Sequence, residues 1–202
     1  MIYLTILITA IATAVAAQLA IWLKERWTVG QEARFSNLYA ALFFEQYATD
    51  CSHRLGEKDN FNASGGHAGI DHGGLPELPP FPAEIEWKKV GVRLTEESFS
   101  FRVAVEAANA KITYLYEFDP PDGGDYEVLT QMASLGLKAL AVAERLRLAA
   151  RLGPPPAPDP EFTTTRHLTE CHEHFEALRA KMLKSQQASH AALVAEAAER
   201  PA

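Results

Sequence analysis

Residues 168–182 read LTECHEHFEALRAKM, and this stretch predicts the fold class more clearly than any other part of the chain. Its apolar side chains are separated by alternating steps of three and four residues, the spacing of a seam between two coiled helices. They are Leu168, Cys171, Phe175, Leu178 and Met182. Upstream, Asp159-Pro160-Glu161 predicts the helix start, because it offers an N-cap, a proline for the first turn and an early acid.

The same stretch carries the densest cluster of possible metal ligands. His167, Glu170, Cys171 and His174 lie on neighbouring turns of one side of the predicted helix, and their side chains are of types that bind transition metals. His167 and His174 are about 10.5 Å apart along the axis, so one zinc ion cannot bind both directly. A metal site therefore needs a subset, such as Glu170 with His174, and ligands from another helix. In the alternative, Cys171 packs in the seam and the polar side chains face solvent.

Glycine and proline divide the rest of the chain into segments long enough for helices. Nine of the twelve glycines and eleven of the twelve prolines fall in residues 56–82, 119–124 and 153–160, which are expected loops. The pattern predicts an all-α fold in which about four helices form an antiparallel, up-down-up-down bundle over residues 24–183. Residues 184–202 are expected to form an Ala-rich helical tail.

Three further helices fill these segments. The first continues from the N-terminal segment to about Leu55, with a hinge expected at Gly30 and an apolar face at Phe44, Tyr47, Cys51 and Leu55. The third, near residues 126–152, has a narrow stripe with small residues that permit close packing. This stripe consists of Leu129, Met132, Gly136, Ala139, Leu140, Ala143 and Leu146.

The second of these helices has a competing interpretation. Thr95-Glu-Glu predicts an N-cap, and a helix to about Phe118 would carry Phe99, Val103, Ala107, Ala110 and Tyr114. However, residues 99–105 also alternate between apolar and polar side chains as a strand does, so a hairpin remains open. The Ala-rich segment 107–110 favours the helix and lacks the residues of a hairpin turn.

The N-terminal segment, Met1–Leu23, has no charged side chain, and as a helix it would extend about 34 Å, enough to cross a bilayer. Tyr3, Trp22 and Trp27 have the positions of interfacial aromatic residues, and basic residues follow the segment at once, which predicts a single-pass anchor with the bulk of the chain in the cytoplasm. In the alternative, residues 14–16 (Ala-Val-Ala) form a signal-peptidase site. Small residues recur every four positions in the segment, so this face could pair with another helix or simply face lipid.

Composition excludes several functions. The net charge of −7 and the absence of a basic stripe argue against nucleic acid as a partner. Nucleotide-binding loops and nucleophile elbows are absent from the sequence.

Cys51 and Cys171 are expected near the same height in the bundle, as core residues or, alternatively, as a disulfide or shared metal site. We therefore expect a membrane-anchored interaction or scaffold protein that binds the bilayer and a protein partner or another copy, without a cofactor. The alternative is a helical-bundle enzyme or sensor that binds a transition metal.

Overall fold

The computed structural model describes residues 2–118, 121–155 and 163–199, with the side chains of 2–12, 14, 121–124 and 190–199 left out. The described residues form five helices and no strand, which confirms the all-α prediction and excludes the hairpin alternative. The helices are α1 (Ile2–Ala63), α2 (Trp87–Val90), α3 (Val92–Phe118), α4 (Pro121–Ala149) and α5 (Thr164–Glu199).

Helix α4 lies at the centre of the bundle and packs against α1, α3 and α5. It is antiparallel to α1, because Arg34 of α1 donates to the carbonyl of Ala150, whereas Lys58 pairs with Asp125 near the opposite end of α4. The small residues predicted in α4 allow this close approach: a Cβ placed on Gly136 would lie 3.2 Å from the Cβ of Cys51 and 2.8 Å from Leu168 Cδ1.

The segment between α1 and α2 corrects the predicted order of the helices. It runs back along α1, with Leu75 held by Arg54, Phe81 packed against Phe43 and Phe44, and the Glu86 amide donating to Ser36. Helix α3 therefore starts near the beginning of the bundle and runs parallel to α1. The order is up-up-down-up, with α4 antiparallel to all the other long helices, so the predicted up-down-up-down order is wrong.

Helix boundaries also differ from the expected loops. Helix α1 passes through Gly30 without a break and ends at Ala63, so residues 56–63 are helical, as is the start of α4 at residues 121–124. Thr95 lies inside α3 rather than at its N-cap. The expected cap at residues 159–161 lies outside the described residues, and α5 begins at Thr164, where the Thr163 hydroxyl accepts a hydrogen bond from the Arg166 amide.

Buried side chains confirm the predicted faces of α1, α4 and α5 but not that of α3. Phe44, Tyr47, Cys51 and Leu55 are buried in α1, and the α5 seam packs from Leu168 to Leu178 but leaves Met182 exposed. In α3 the predicted residues are exposed, because the opposite face packs toward α1 and α4 through Phe101, Val105, Ala108 and Ile112. Apolar residues occur on both sides of α3, so periodicity alone did not identify the buried one.

The first half of α1 extends beyond the bundle. Between residues 15 and 30 every described side chain is exposed, including those of Leu19, Ile21, Trp22 and Trp27. Among the residues that could be searched, none of the helices has a segment that combines the length and the apolar character needed to cross a membrane. Of the predicted span, Met1 and the side chains of residues 2–12 and 14 lie outside the described part.

Candidate metal centre

Three possible metal ligands from two helices converge where the last turns of α1 meet the first turns of α5. His167 and Cys171 lie one turn apart on α5, and Asp59 reaches them from α1. One ligand atom from each residue lies within 4.8 Å of the other two. Asp59 is exposed and the other two residues are half-buried, so the group opens to solvent on one side.

The imidazole of His167 is positioned by a second residue of α1. Ser52 Oγ lies 2.7 Å from His167 Nδ1, within hydrogen-bond distance. In the tautomer whose Nδ1–H donates to Ser52, the lone pair for a metal is on Nε2, the arrangement that outer-sphere partners impose on metal-binding histidines. Gly56 packs next to the same ring, and a Cβ at this position would lie 4.0 Å from His167 Cε1.

The Cys171 thiol is held in its protonated form. Burial raises its pKa to about 11, and the carboxylates of Asp59 and Glu170 add to the shift because they disfavour a nearby thiolate. A metal ion would reverse this effect, since its positive charge stabilises the thiolate. Metal binding at this group would therefore release a proton from Cys171.

The structure brings together only half of the predicted ligand set. Glu170 is exposed and faces Arg166 along its own helix, at 3.7 Å. His174 is also exposed, with its ring against Phe175. The group that His167 and Cys171 form with Asp59 includes neither of these two residues. The pairing of Glu170 with His174 in one site stays a prediction, as does metal binding itself.

Asp59 is the ligand that the sequence did not identify. It lies beyond Leu55, where the sequence predicts the end of the first helix, and within the expected loop at residues 56–82. The spacing of His167 and Cys171 was visible, but the register that brings α1 beside them depends on packing between helices. The one sequence feature that indicates a helical Asp59 is the polar run from Glu57 to Asn60, which contains no residue that would end the helix.

Comparison with known proteins gave no match to any family model, curated protein or solved structure. The metal preference of Asp59, His167 and Cys171 is therefore inferred from their own ligand atoms. One nitrogen, one carboxylate oxygen and one sulfur are a set that Zn²⁺ accepts in a tetrahedral site. Three protein ligands leave a fourth position for water or another molecule, as in catalytic rather than structural zinc sites.

The two cysteines have different surroundings. Both are free thiols, so the disulfide alternative is not observed. Cys51 is buried between α1 and α4, and burial raises the pKa of its thiol to about 12. It fits the predicted role of a small core residue, and it is not one of the three clustered ligands.

The glycine-rich connection after α1 carries polar residues that bind α1. His72 pairs with Glu57, and Asp71 pairs with the buried Lys58. The hydrogen bond from His72 lowers the pKa of the Glu57 carboxyl. These contacts attach the expected loop to α1.

Proposed function

We propose that this chain is an interaction protein that α1 attaches to a lipid bilayer, with the helical bundle displayed beside the membrane. The observation that carries the proposal is the exposed first part of α1. Leu19, Ile21, Trp22, Leu23 and Trp27 are each at least 50% exposed, which is costly in water for so many large apolar side chains on a short segment.

The arrangement of these side chains favours lipid as the covering medium. Leu19 and Ile21 differ by about 200° around the helix axis, so one packed partner helix would not cover both. Lipid surrounds a helix on all sides. The uncharged sequence from Met1 to Leu23 supplies the length, and Trp22, Trp27 and Arg26 supply the aromatic and basic residues typical of an interface.

The distribution of basic residues supports a cytoplasmic location for the bundle. Lys24, Arg26 and Arg34 follow the proposed span within eleven residues of Leu23, as positive residues do on the cytoplasmic side of a membrane helix. At the other end of the molecule, residues 179–189 of α5 are all exposed, including Met182 and Leu183. We propose that this half of α5 is the segment that contacts a protein partner or a second copy.

Membrane attachment can be tested by alkaline carbonate extraction of the full chain from cell membranes. We expect the wild-type chain to stay in the membrane pellet. Ala12→Arg with Ala16→Arg should move it to the soluble fraction, because each arginine near the centre of a span costs about 2.5–3.5 kcal/mol. The same change at Ala180 and Ala188, which are exposed on α5, is the matched control.

Two results would contradict the proposal. One is complete extraction of the wild-type chain without detergent. The other is a mature chain that begins near Ala17, which would mean that the N-terminal segment is a cleaved signal peptide. For the interaction role, crosslinking in native membranes should return a dimer or a reproducible neighbour, and monomer alone would argue against it.

A metal-binding role is the second candidate, and the convergence of Asp59, His167 and Cys171 favours it. We expect purified full chain to bind about one equivalent of Zn²⁺, and His167→Gln or Cys171→Ser to abolish this binding. His174→Gln is the matched control, because His174 is on the same helix but outside the cluster. Binding of less than about a tenth of an equivalent, or equal losses from His167→Gln and His174→Gln, would contradict the site.

A further inference from the structure

A basic groove lies where the exposed part of α1 meets the bundle. It has a volume of about 470 Å³ and is formed by α1 and the end of α4. Its charged lining consists of Arg26, Arg34 and Arg151, with Trp27, Gly30 and Gln31 between them. None of the three arginines forms an ion pair with a carboxylate among the residues that the structure describes.

The positions on α1 explain why the groove is open. Arg26, Gly30 and Arg34 are spaced by four residues and therefore follow one another along the same face. Gly30 has no side chain, and a Cβ at its position would contact nothing within 4 Å. The two arginines thus border an empty space one residue wide. Arg26 also lies over the Trp22 ring at 5.2 Å, and Arg34 Nε donates to the Ala150 carbonyl at 2.9 Å, so both stems are held.

Arg151 lines the end of the groove formed by α4, and its backbone conformation is unfavourable for arginine. It has a φ of +56°, and the Leu152 amide donates to the Arg147 carbonyl across it, as at a helix C-terminus where glycine is the usual residue. An arginine at this position destabilises the fold relative to glycine. Arg151 therefore contributes a positive charge to the groove from a position where glycine would be less strained.

We infer that this groove binds the phosphate of an acidic phospholipid head group, an inference that rests on the proposed membrane attachment. Guanidinium groups match phosphate oxygens in charge and in hydrogen-bond geometry. Arg26 lies about 4.5 Å along the helix from Leu23, and Arg34 about 16 Å, so the groove starts inside the head-group layer and extends roughly 10 Å beyond it. The net charge of −7 on the chain repels larger polyanions, whereas a single phosphate fits the local excess of positive charge.

The test is a titration of the full chain in neutral detergent micelles with short-chain phosphatidylglycerol, followed by calorimetry. We expect saturable binding that weakens with salt, and at least tenfold weaker binding of short-chain phosphatidylcholine. Arg26→Gln and Arg151→Gly should each weaken phosphatidylglycerol binding roughly fivefold, and together about thirtyfold. Arg166→Gln, at an exposed arginine near the start of α5 that does not line the groove, should leave it unchanged.

Arg151→Gly also separates binding from folding. It should raise the melting temperature, because it relieves the left-handed strain, while it lowers affinity for phosphatidylglycerol. Loss of binding together with loss of stability would therefore overturn the inference. Equal affinity for the two lipids would overturn it as well, and inorganic phosphate binding as tightly as phosphatidylglycerol would assign the groove to a free anion instead. Carbonate extraction tests whether the N-terminal segment is held in the membrane, and the micelle titration tests whether the groove binds phosphate. Either proposal can therefore be contradicted without contradicting the other.

Discussion

Gly69 controls how the chain turns back after α1, because no side chain fits at its position. It has a φ of +77°, and a Cβ there would lie 2.2 Å from the Glu57 carbonyl oxygen and 2.8 Å from the Phe61 nitrogen. Gly69→Ala therefore combines left-handed strain with a collision against helix backbone. We expect it to lower the free energy of unfolding by roughly 2–4 kcal/mol, measured by thermal denaturation of the full chain in neutral detergent.

Gly65 provides the matched control for this substitution. Its φ is +65°, but a Cβ there would meet nothing within 4 Å, so Gly65→Ala introduces the strain without the collision. Its cost should be about 1 kcal/mol. Equal losses of stability in the two variants would mean that the close approach at Gly69 does not hold the connection to α1.

The raised pKa of the Cys171 thiol determines how the affinity of the proposed site for zinc should depend on pH. Its pKa of about 11 means that zinc must displace a proton, and this displacement becomes easier as pH rises. Between pH 7.5 and 9.5 the association constant should rise about tenfold per pH unit. The measurement is a zinc titration of full chain against a competing chelator in two buffers of different ionisation enthalpy. A constant affinity over this range would show that Cys171 is not a ligand.

At the level of helices, Gly136 sets the distance between α4 and its neighbours α1 and α5. Gly136→Ala would place a Cβ within 3.2 Å of Cys51 and Leu168 side-chain atoms. Overpacking of this kind costs about 1–3 kcal/mol, and the better helix propensity of alanine returns up to about 1 kcal/mol. We expect a net loss of about 1–2 kcal/mol and a melting temperature lower by roughly 3–8 °C.

Gly30→Ala is the control for helix propensity alone. Gly30 lies in the same kind of continuous helix but with open space around it, so alanine should raise the melting temperature slightly. If Gly136→Ala also raised it, the interface between α4, α1 and α5 would be looser than these distances indicate.

The helices differ in how far the sequence could predict them. The faces of α1 and α5 were predictable, because Phe44, Leu55, Leu168 and Phe175 recur at helical spacing and are buried. The face of α3 was not, since both of its sides are apolar and only packing selects one. Asp59 was missed for the same physical reason, because its closeness to His167 depends on the register between two helices.

On the scale of the whole molecule, the order of the helices follows from the connection between α1 and α2. Phe81 packs against rings of α1 and against Trp87, which ties the connection down along its length. These contacts are not periodic, so a pattern of loops and helices cannot reveal them. The result places α2 and the start of α3 beside the part of α1 nearest the proposed membrane, rather than at the far end of the bundle.

This order predicts a particular crosslink. Lys89 Nζ lies 2.7 Å from Glu32 Oε2, so a water-soluble carbodiimide, which joins only groups in direct contact, should link these two residues in the full chain. In an up-down-up-down bundle Lys89 would instead lie near Lys58, about 39 Å along α1 from Glu32, and no such link could form. Lys111 and Glu127 of α3 and α4, at 2.7 Å, are the positive control because they are adjacent in either order. Recovery of the control peptide by mass spectrometry without the Lys89–Glu32 peptide would contradict the up-up-down-up order, and with it the basis for placing α2 at the membrane end of the bundle.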